Sequence, residues 1–379
     1  MNMKLTLLAA VTAFCACNTA FAKWGTAVDR GTVLSPDGIV PNPGENLLPY
    51  WGGNSRDQTD WAVTAFDASG NPHPVIDGAD VTPAGYTSGG AIMTGYSTTT
   101  AGYVAAGGPT HAASWVNGTF KDLHPSGFAS SIAQGVGGAG NIVGMATDTS
   151  GLLHPWLFVD NFEGLPGKEL PTPTGFNQAV ATSLAQSLGL YIGGYALNAG
   201  QSVHPIMWAE GNSTNFTPVD LLSTLPGSTS GVIVAGTWDS LDGDGSLPVF
   251  AGSVTTTASN GEWHAALWVP YAQGTTGIGY DLHPAGSKYL ASSIYAMRLL
   301  NKNTVYEAGL AVTVRGRKTA WHAMVWQGSA ASASDLNGKL PKGEFIQSTA
   351  TGIDELGNVE GAAEDKSGVW HEVYWPVEK

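Results

Sequence analysis

A histidine is followed four residues later by a tryptophan or phenylalanine at six places in the chain. The six pairs are His111–Trp115, His154–Phe158, His204–Trp208, His264–Trp268, His322–Trp326 and His371–Trp375. Imidazoles bind metals and carry protons, so one hypothesis is a ring of reactive histidines. Equivalent residues of packed sheets lie about 10 Å apart, however, whereas zinc needs ligands at about 2 Å. The pattern therefore favours histidines that each hold a turn or a neighbouring strand.

The spacing of this motif indicates a repeat. Successive histidines are separated by 43, 50, 60, 58 and 49 residues, which is the size of a repeated supersecondary unit. The unit from His111 to Leu153 contains four short strand-like segments and the hairpin signal Asn117-Gly118, as expected for one propeller blade. Its Asp122-Leu123-His124-Pro125 segment recurs as Asp281-Leu282-His283-Pro284.

Seven strand-like segments end in an aromatic residue, because a degenerate copy without histidine lies at Trp61–Phe66. We therefore predict an all-β propeller of seven blades with four short antiparallel strands each; six blades is the alternative. The last copy ends four residues before the C-terminus. Joining the N- and C-terminal strands would complete its blade and close the ring, which removes exposed sheet edges. Residues 61–379 would form the repeats and residues 23–60 would complete the last blade.

Residues 1–22 have the composition of a secretory signal peptide, with an apolar run at Leu5–Ala16 and a small-x-small cleavage site at Ala20-Phe21-Ala22. Both cysteines, Cys15 and Cys17, lie in this segment, so the mature chain would have no disulfide. We expect an exported bacterial protein, periplasmic or extracellular. No later segment is long and apolar enough to span a membrane. The net charge of −14 argues against binding to nucleic acid, because phosphate contacts need a basic surface.

The repeated units resemble the extracellular HAF repeat, whose core is His-Ala-Phe followed by a tryptophan and then by an Asp-Leu strand. The resemblance covers about residues 60–379. The third motif position is never phenylalanine here; it is Ala113, Trp156, Ile206, Ala266, Met324 and Val373. The resemblance implies an exported, propeller-like protein and transfers no catalytic residue.

The distribution of cations breaks the repeat. Six of the 16 lysines and arginines lie in one short stretch: Lys288, Arg298, Lys302, Arg315, Arg317 and Lys318. Basic side chains, and arginine above all, bind carboxylates and sulfates. The candidate ligand contacts are Lys288, Arg298, Arg315 and Arg317. Arg298 with His283 and Tyr295 is also a candidate for proton abstraction from a uronic-acid polymer. The alternative is a solvated outer face with charges at hairpin tips.

Three copies of the motif carry a second tryptophan directly before the histidine: Trp263, Trp321 and Trp370. Being one residue away, these side chains face the opposite side of the strand from the motif pair. They either fill the gap between adjacent blades or form platforms that stack on sugar rings, since an indole offers an apolar face and an N–H donor.

An acidic, glycine-rich segment contains Asp239, Asp242 and Asp244. Closely spaced carboxylates on a flexible loop can bind calcium, which takes six to eight oxygen ligands. The final bidentate glutamate of an EF-hand is missing, so a solvated turn is the alternative. Apart from this possible calcium, the sequence predicts no cofactor.

Three functions are compatible with these residues. The first is a secreted or periplasmic propeller that binds a glycan or another anionic polymer. The second is a polysaccharide lyase or hydrolase on the same scaffold, and the third is a structural envelope protein without a small-molecule site. The chain has no nucleophile elbow, phosphate loop, metalloprotease helix or dinucleotide fingerprint. The fold alone does not decide among the three functions.

Overall fold

The computed structural model describes residues 23–32, 61–66, 72–78, 81–82, 99–104, 111–116, 119–136, 141–160, 165–186, 189–198, 200, 202–210, 215–239, 247–271, 275–299, 305–316, 318–353 and 357–378. The first eleven strands are β1 (Val28–Thr32), β2 (Trp61–Phe66), β3 (Pro72–Gly78), β4 (Val81–Thr82), β5 (Thr99–Val104), β6 (His111–Val116), β7 (Thr119–Asp122), β8 (Ser130–Val136), β9 (Ile142–Thr147), β10 (Leu153–Asp160) and β11 (Leu165–Glu169). The next eight are β12 (Gln178–Gln186), β13 (Leu190–Leu197), β14 (Val203–Glu210), β15 (Phe216–Asp220), β16 (Ser228–Asp239), β17 (Leu247–Thr256), β18 (Trp263–Tyr271) and β19 (Thr275–Asp281). The last seven are β20 (Tyr289–Leu299), β21 (Val305–Arg315), β22 (Lys318–Trp326), β23 (Ser334–Asp335), β24 (Phe345–Ile353), β25 (Val359–Asp365) and β26 (Trp370–Trp375). Short 3-10 helices occupy Leu222–Thr224, Ala330–Ser332 and Asn337–Lys339.

Within these ranges the strands form seven antiparallel sheets, six with four strands and one with two. We number them in chain order: sheet 1 is β2–β3, sheet 2 is β4–β7, sheet 3 is β8–β11, sheet 4 is β12–β15, sheet 5 is β16–β19, sheet 6 is β20–β23, and sheet 7 is β24–β26 with β1. From sheet 3 to sheet 7, the first strand of each sheet contacts the first strand of the next. The predicted all-β propeller is confirmed, and seven sheets agree with seven blades rather than six.

The N-terminal strand β1 pairs with β26, near the C-terminus, so sheet 7 contains both ends of the described chain. The His-to-His unit used above does not coincide with a sheet. Each motif histidine stands on the third strand of its sheet, and the sheet begins one strand pair earlier. That boundary was wrong because the conspicuous motif marks the middle of a blade and not its first strand.

The motif tryptophans fill the spaces between consecutive sheets. Trp208, Trp268, Trp326 and Trp375 are fully buried. Trp208 packs against Leu157 and Leu170 of the preceding sheet, and its indole donates to the carbonyl of Pro171 at 2.8 Å. Burying an aromatic ring of this size contributes roughly 2–3 kcal/mol. The repeated aromatic position therefore contributes an apolar contact between consecutive sheets.

A bulge recurs in the first strand of each of sheets 3 to 7. We call this the innermost strand, because the first strands of consecutive sheets contact each other. The extra residues are Gln134, Thr182, Val234, Tyr295 and Thr351. The second strand of each sheet places a glycine beside the bulge, because a Cβ there would lie about 2 Å from a carbonyl oxygen. These glycines are Gly144, Gly194, Gly252, Gly309 and Gly361. No helix among the described residues is long and apolar enough to cross a bilayer.

Candidate ligand-binding surface

Every motif histidine pairs through Nδ1 with a carboxylate on the fourth strand of its own sheet. The pairs are His111–Asp122 (3.0 Å), His154–Glu169 (2.7 Å), His204–Asp220 (2.7 Å), His264–Asp281 (2.8 Å), His322–Asp335 (2.8 Å) and His371–Asp29 (3.0 Å). In the sixth pair the acid comes from β1. Each pair therefore ties the start of the third strand to the fourth, where a reactive histidine would instead face an open cleft.

The second carboxylate oxygen of four of these aspartates serves the backbone. Oδ1 of Asp122, Asp220, Asp281 and Asp335 accepts the N–H two residues later, at 2.8 to 3.1 Å. The intervening leucine is fully buried in sheets 4 to 6, and its N–H bonds back to the third strand. The aspartate and the leucine after it thus fix the turn by which the chain leaves the fourth strand. This turn accounts for the Asp-Leu pairs of the repeat.

The rings stacked on these histidines are also structural. His111 stacks on His124, and His264 on His283, both with ring centroids 3.9 Å apart. His154, His204 and His371 meet the edge of a phenylalanine instead. No cluster of three histidine, cysteine, aspartate or glutamate residues that could hold a metal ion occurs within the described ranges.

We expect Asp335→Asn to lower the free energy of unfolding by about 1–2 kcal/mol at neutral pH, because it weakens a charge-assisted hydrogen bond. Burial opposes ionisation of this carboxyl, but the bond to His322 and the charge of Lys288 lower its pKa below the ordinary value. A depressed pKa stabilises the folded state above the unfolded pKa of about 4, and that stabilisation is lost as the pH falls through the folded pKa. Urea unfolding from pH 7 to pH 2 measures it, with the exposed Glu344→Gln as control. A difference between the variant and the native protein that persists unchanged at low pH would contradict the pairing.

The three candidate catalytic residues do not lie together. His283 precedes β20, stacks on His264, and has its Nδ1 2.9 Å from Ser292 Oγ; burial and the neighbouring His264 lower its pKa. The Tyr295 hydroxyl is buried, and burial raises its pKa above the ordinary value. Arg298 lies near the far end of β20, opposite Tyr306. Because a strand rises about 3.3 Å per residue, Arg298 lies roughly 20 Å along β20 from Ser292, the residue that His283 contacts.

The three extra tryptophans, Trp263, Trp321 and Trp370, lie near the start of the third strand of their sheets. The first strand of each sheet begins at the same end. We call this side the entry face. Trp370 is 7% exposed, and Trp263 and Trp321 are half-buried. Trp321 packs against the apolar group of Ala291, Leu310 and Val312, with its ring centroid 6.3 Å from that of Trp370. Of the three, Trp263 and Trp321 retain enough exposure to stack on a ligand.

The entry face of sheets 6 and 7 carries five exposed basic residues, which we call the basic patch. They are Lys288, Arg315, Lys318, Lys342 and Lys366. Glu344 and Asp29 are the exposed carboxylates in the described part of this region, and Asp335, Glu364 and Asp365 are partly exposed. The corresponding hairpins of sheets 3 and 4, 148–152 and 198–202, contain no lysine or arginine. The structure therefore keeps Lys288 and Arg315 at one surface, separates Arg298 from them, and adds Lys342 and Lys366.

Sheet 6 also modifies its histidine–carboxylate pair. The Tyr289 hydroxyl and the Lys288 ammonium both reach Asp335 Oδ2, at 3.3 and 3.4 Å, and the ammonium lies 4.4 Å from the centre of the Tyr289 ring. Phenylalanine occupies the equivalent place in sheets 3, 4 and 7. This arrangement holds Lys288 in place within the basic patch, and the Tyr289 contact raises the pKa of its ammonium group.

Several sequence predictions fall outside the described residues. Asp242 and Asp244 do so completely, and of Asp239 only the backbone is described, as the last residue of β16. Calcium binding there stays a prediction. Arg317 also lies outside the described residues, between two members of the basic patch in sequence.

Lys342 and Lys366 were missed because they are separated in sequence from the 288–318 stretch. An alignment of the repeats does locate them. Phe345-Ile346-Gln347-Ser348 matches Tyr289-Leu290-Ala291-Ser292, and the hairpin Asp365-Lys366-Ser367-Gly368 matches Asp148-Thr149-Ser150-Gly151. Aligning whole blades, instead of the histidine motif alone, places both lysines at the same end as Lys288.

No protein-family model and no curated protein matches the chain, so the HAF resemblance stays a prediction. Among solved structures, a Trypanosoma rangeli sialidase in complex with sialic acid is similar with 10% identity and a TM-score of 0.46, covering 88% of this chain and 59% of the sialidase. AofleA from Arthrobotrys oligospora is similar with 12% identity and a TM-score of 0.40, covering 74% of this chain and 81% of AofleA. A protein of unknown function from Dyadobacter fermentans has 10% identity and a TM-score of 0.41, covering 71% and 84%. This chain thus spans about three fifths of the sialidase, and none of these likenesses assigns a residue.

Proposed function

We propose that the chain is an exported β-propeller that binds an acidic glycan on the entry face of sheets 6 and 7. The observation that carries the proposal is the basic patch, where five exposed cations face two exposed carboxylates, Glu344 and Asp29, in a chain whose net charge is −14. Carboxylates and sulfates are the groups that such cations bind. Periplasmic or extracellular location rests on the signal-like residues 1–22.

The charge of the whole protein does not prevent this binding. At about 0.1 M ionic strength the screening length is about 10 Å. A ligand held at the basic patch therefore senses mainly the cations it touches, and distant acidic residues act weakly. Because the local field is confined to two adjacent sheets, the patch distinguishes acidic from neutral polymers.

Trp321 supplies the second part of the site. Its half-buried ring lies at the same face, supported by Val312 beneath and by Trp370 beside it. A supported indole offers an apolar surface at low entropic cost and can stack on the apolar face of a sugar ring. The glycan would thus be held by stacking at Trp321 and by its acidic groups at Arg315 and Lys318.

Binding is favoured over cleavage because the candidate acid–base groups are dispersed. Proton abstraction needs a base within hydrogen-bond reach of the substrate and a group that stabilises the developing charge. Arg298 lies roughly 20 Å along β20 from Ser292, the residue that His283 contacts, and the hydroxyl of Tyr295 is buried. The separation of these three residues therefore supports binding over a lyase or hydrolase that uses all three.

The test is calorimetric titration with polygalacturonate, heparin and neutral dextran. We expect the two acidic polymers to bind and dextran not to bind. The double variant Arg315→Glu/Lys318→Glu should weaken binding at least about tenfold, since each charge-assisted hydrogen bond contributes about 1.5–3 kcal/mol. Trp321→Ala should weaken it about tenfold.

Matched controls exist on other sheets. Lys121→Glu reverses an exposed charge on β7, and Trp156→Ala removes a half-buried tryptophan from sheet 3; both should bind like the native chain. Thermal unfolding checks that Trp321→Ala remains folded. No binding to any acidic polymer would favour a structural role, and new unsaturated or reducing ends in the product would favour the enzyme.

A further inference from the structure

Exposed aliphatic side chains concentrate on the same face. Four large apolar residues are exposed within the described ranges: Val28 (51%), Leu290 (42%), Ile346 (47%) and Val369 (39%). Leu290 and Ile346 lie where β20 and β24 begin, and Val369 lies in the hairpin between β25 and β26. Three of the four are thus on the entry face of sheets 6 and 7, whereas Val28 belongs to the outermost strand of sheet 7.

The backbone holds two of these side chains outward. Leu290 is the extra residue of a bulge between Tyr289 and Ala291, and Ile346 is the extra residue of a bulge between Phe345 and Gln347. The two positions are equivalent in adjacent innermost strands, which contact each other. A bulge turns a side chain away from the regular alternation of the strand. The same device therefore exposes an aliphatic residue twice, on neighbouring sheets.

The surroundings of these residues indicate the partner. Lys288 directly precedes Tyr289 and Leu290, Lys366 shares the hairpin of Val369, and Lys342 lies just before β24. Aliphatic side chains among lysines and arginines are typical of surfaces that insert shallowly into an anionic bilayer. A soluble polysaccharide gains little from leucine and isoleucine, because aliphatic side chains lack the flat face that stacks on sugars.

We propose that the entry face of sheets 6 and 7 docks on an anionic lipid surface. Leu290, Ile346 and Val369 enter the boundary between head groups and acyl chains, and the basic patch contacts the anionic head groups. The proposal shares the basic patch with glycan binding and differs from it in the three aliphatic residues. A membrane that displays acidic sugars would engage Trp321, the cations and the aliphatic residues together.

The test is flotation with phosphatidylcholine vesicles, with and without phosphatidylglycerol. We expect the native chain to float only with the anionic vesicles. Leu290→Ser/Ile346→Ser should reduce the partition constant at least about tenfold, as should Arg315→Glu/Lys318→Glu, because binding depends on both buried apolar area and attraction to anionic lipid. Val28→Ser is the matched control and should float like the native chain.

The two proposals fail in different ways. If Leu290→Ser/Ile346→Ser loses vesicle binding and keeps its affinity for polygalacturonate, lipid docking is supported separately from glycan binding. Absence of the native chain from the anionic vesicle fraction would overturn the lipid proposal, as would equal flotation of the double variant or equal binding to neutral vesicles. Sedimentation that shows a dimer lost in Leu290→Ser/Ile346→Ser, without vesicle binding, would assign the patch to a second copy of the chain.

Discussion

Gly309→Ala is expected to lower the free energy of unfolding by about 3 kcal/mol or more, or to prevent folding. An added Cβ would lie 1.9 Å from the carbonyl oxygen of Ser293 and 2.9 Å from the Cα of Ile294. Both atoms are backbone, so no side-chain rotation relieves the clash. Overpacking in a dense core commonly costs about 1–3 kcal/mol, and a forced shift of the innermost strand and its bulge adds to that cost.

The effect should be a property of the repeat. Gly144, Gly194, Gly252 and Gly361 have the same contact at 2.0 to 2.1 Å. Gly338→Ala is the matched control, since an added Cβ there meets no atom within 4 Å. Urea unfolding of the purified variants measures the difference. Equal stability of Gly309→Ala and Gly338→Ala would show that the second strand can move away from the bulge.

These glycines show why the fold class was easier to predict from the sequence than the positions of the bulges and the close contacts between strands. Similar glycine-containing segments end at Gly144, Gly194 and Gly361 in the sequence, but a glycine in a strand signals either a bulge or a close approach. Which of the two applies depends on the neighbouring strand, and no local pattern supplies that information. Gly252 and Gly309 have the same contact, but their flanking residues differ, so the sequence does not mark them as equivalent to the other three.

The candidate surface was predictable in part. The excess of cations after Lys288 and the paired tryptophans at Trp321 were visible in the sequence, and both lie on the entry face. Arg298 could not be separated from Lys288 without knowing that β20 runs as one strand from Tyr289 to Leu299, since ten residues of strand reach the other end of a blade while ten residues of loop do not. Lys342 and Lys366 join the patch only through the packing of sheet 7 on sheet 6.

The histidines illustrate the opposite case, in which the sequence favoured a structural role and could not name the partner. The acid lies 11 to 17 residues after the histidine in five pairs. In the sixth it lies 342 residues away, at Asp29. That distance follows from the pairing of β1 with β26. Only the register of sheet 7 identifies Asp29 as the equivalent of Asp122.

Glu307 breaks the apolar repeat in the core of sheet 6, at a position that no sequence motif marks. It precedes Gly309 by two residues, and the same offset in the other sheets gives Ile142, Ile192, Phe250 and Val359, all buried and apolar. Glu307 is fully buried as well. Its Oε2 accepts the N–H of Gly328 at 3.0 Å, while Oε1 has no hydrogen-bond partner within the described part of the chain. Burial raises the pKa of this carboxyl to about 8.

We expect Glu307→Gln to be more stable than the native chain at pH 8 and about equally stable near pH 4. A carboxyl whose folded pKa is raised from 4.5 to about 8 destabilises the folded state progressively as the pH rises through that interval, and the loss levels off above it. One pKa unit corresponds to about 1.4 kcal/mol, so the difference reaches several kcal/mol at pH 8. Glutamine keeps the shape and the acceptor for Gly328 and cannot ionise.

Urea unfolding of both proteins from pH 4 to pH 9 checks this, because histidines that titrate over the same range contribute equally and cancel in the difference. Glu344→Gln, which changes an exposed carboxylate just before β24, is the matched control. A constant difference between Glu307→Gln and the native chain would mean that water or a nearby cation solvates this carboxyl in solution. A difference that grows with pH would show that sheet 6 retains an unfavourable buried acid where its neighbours have hydrocarbon.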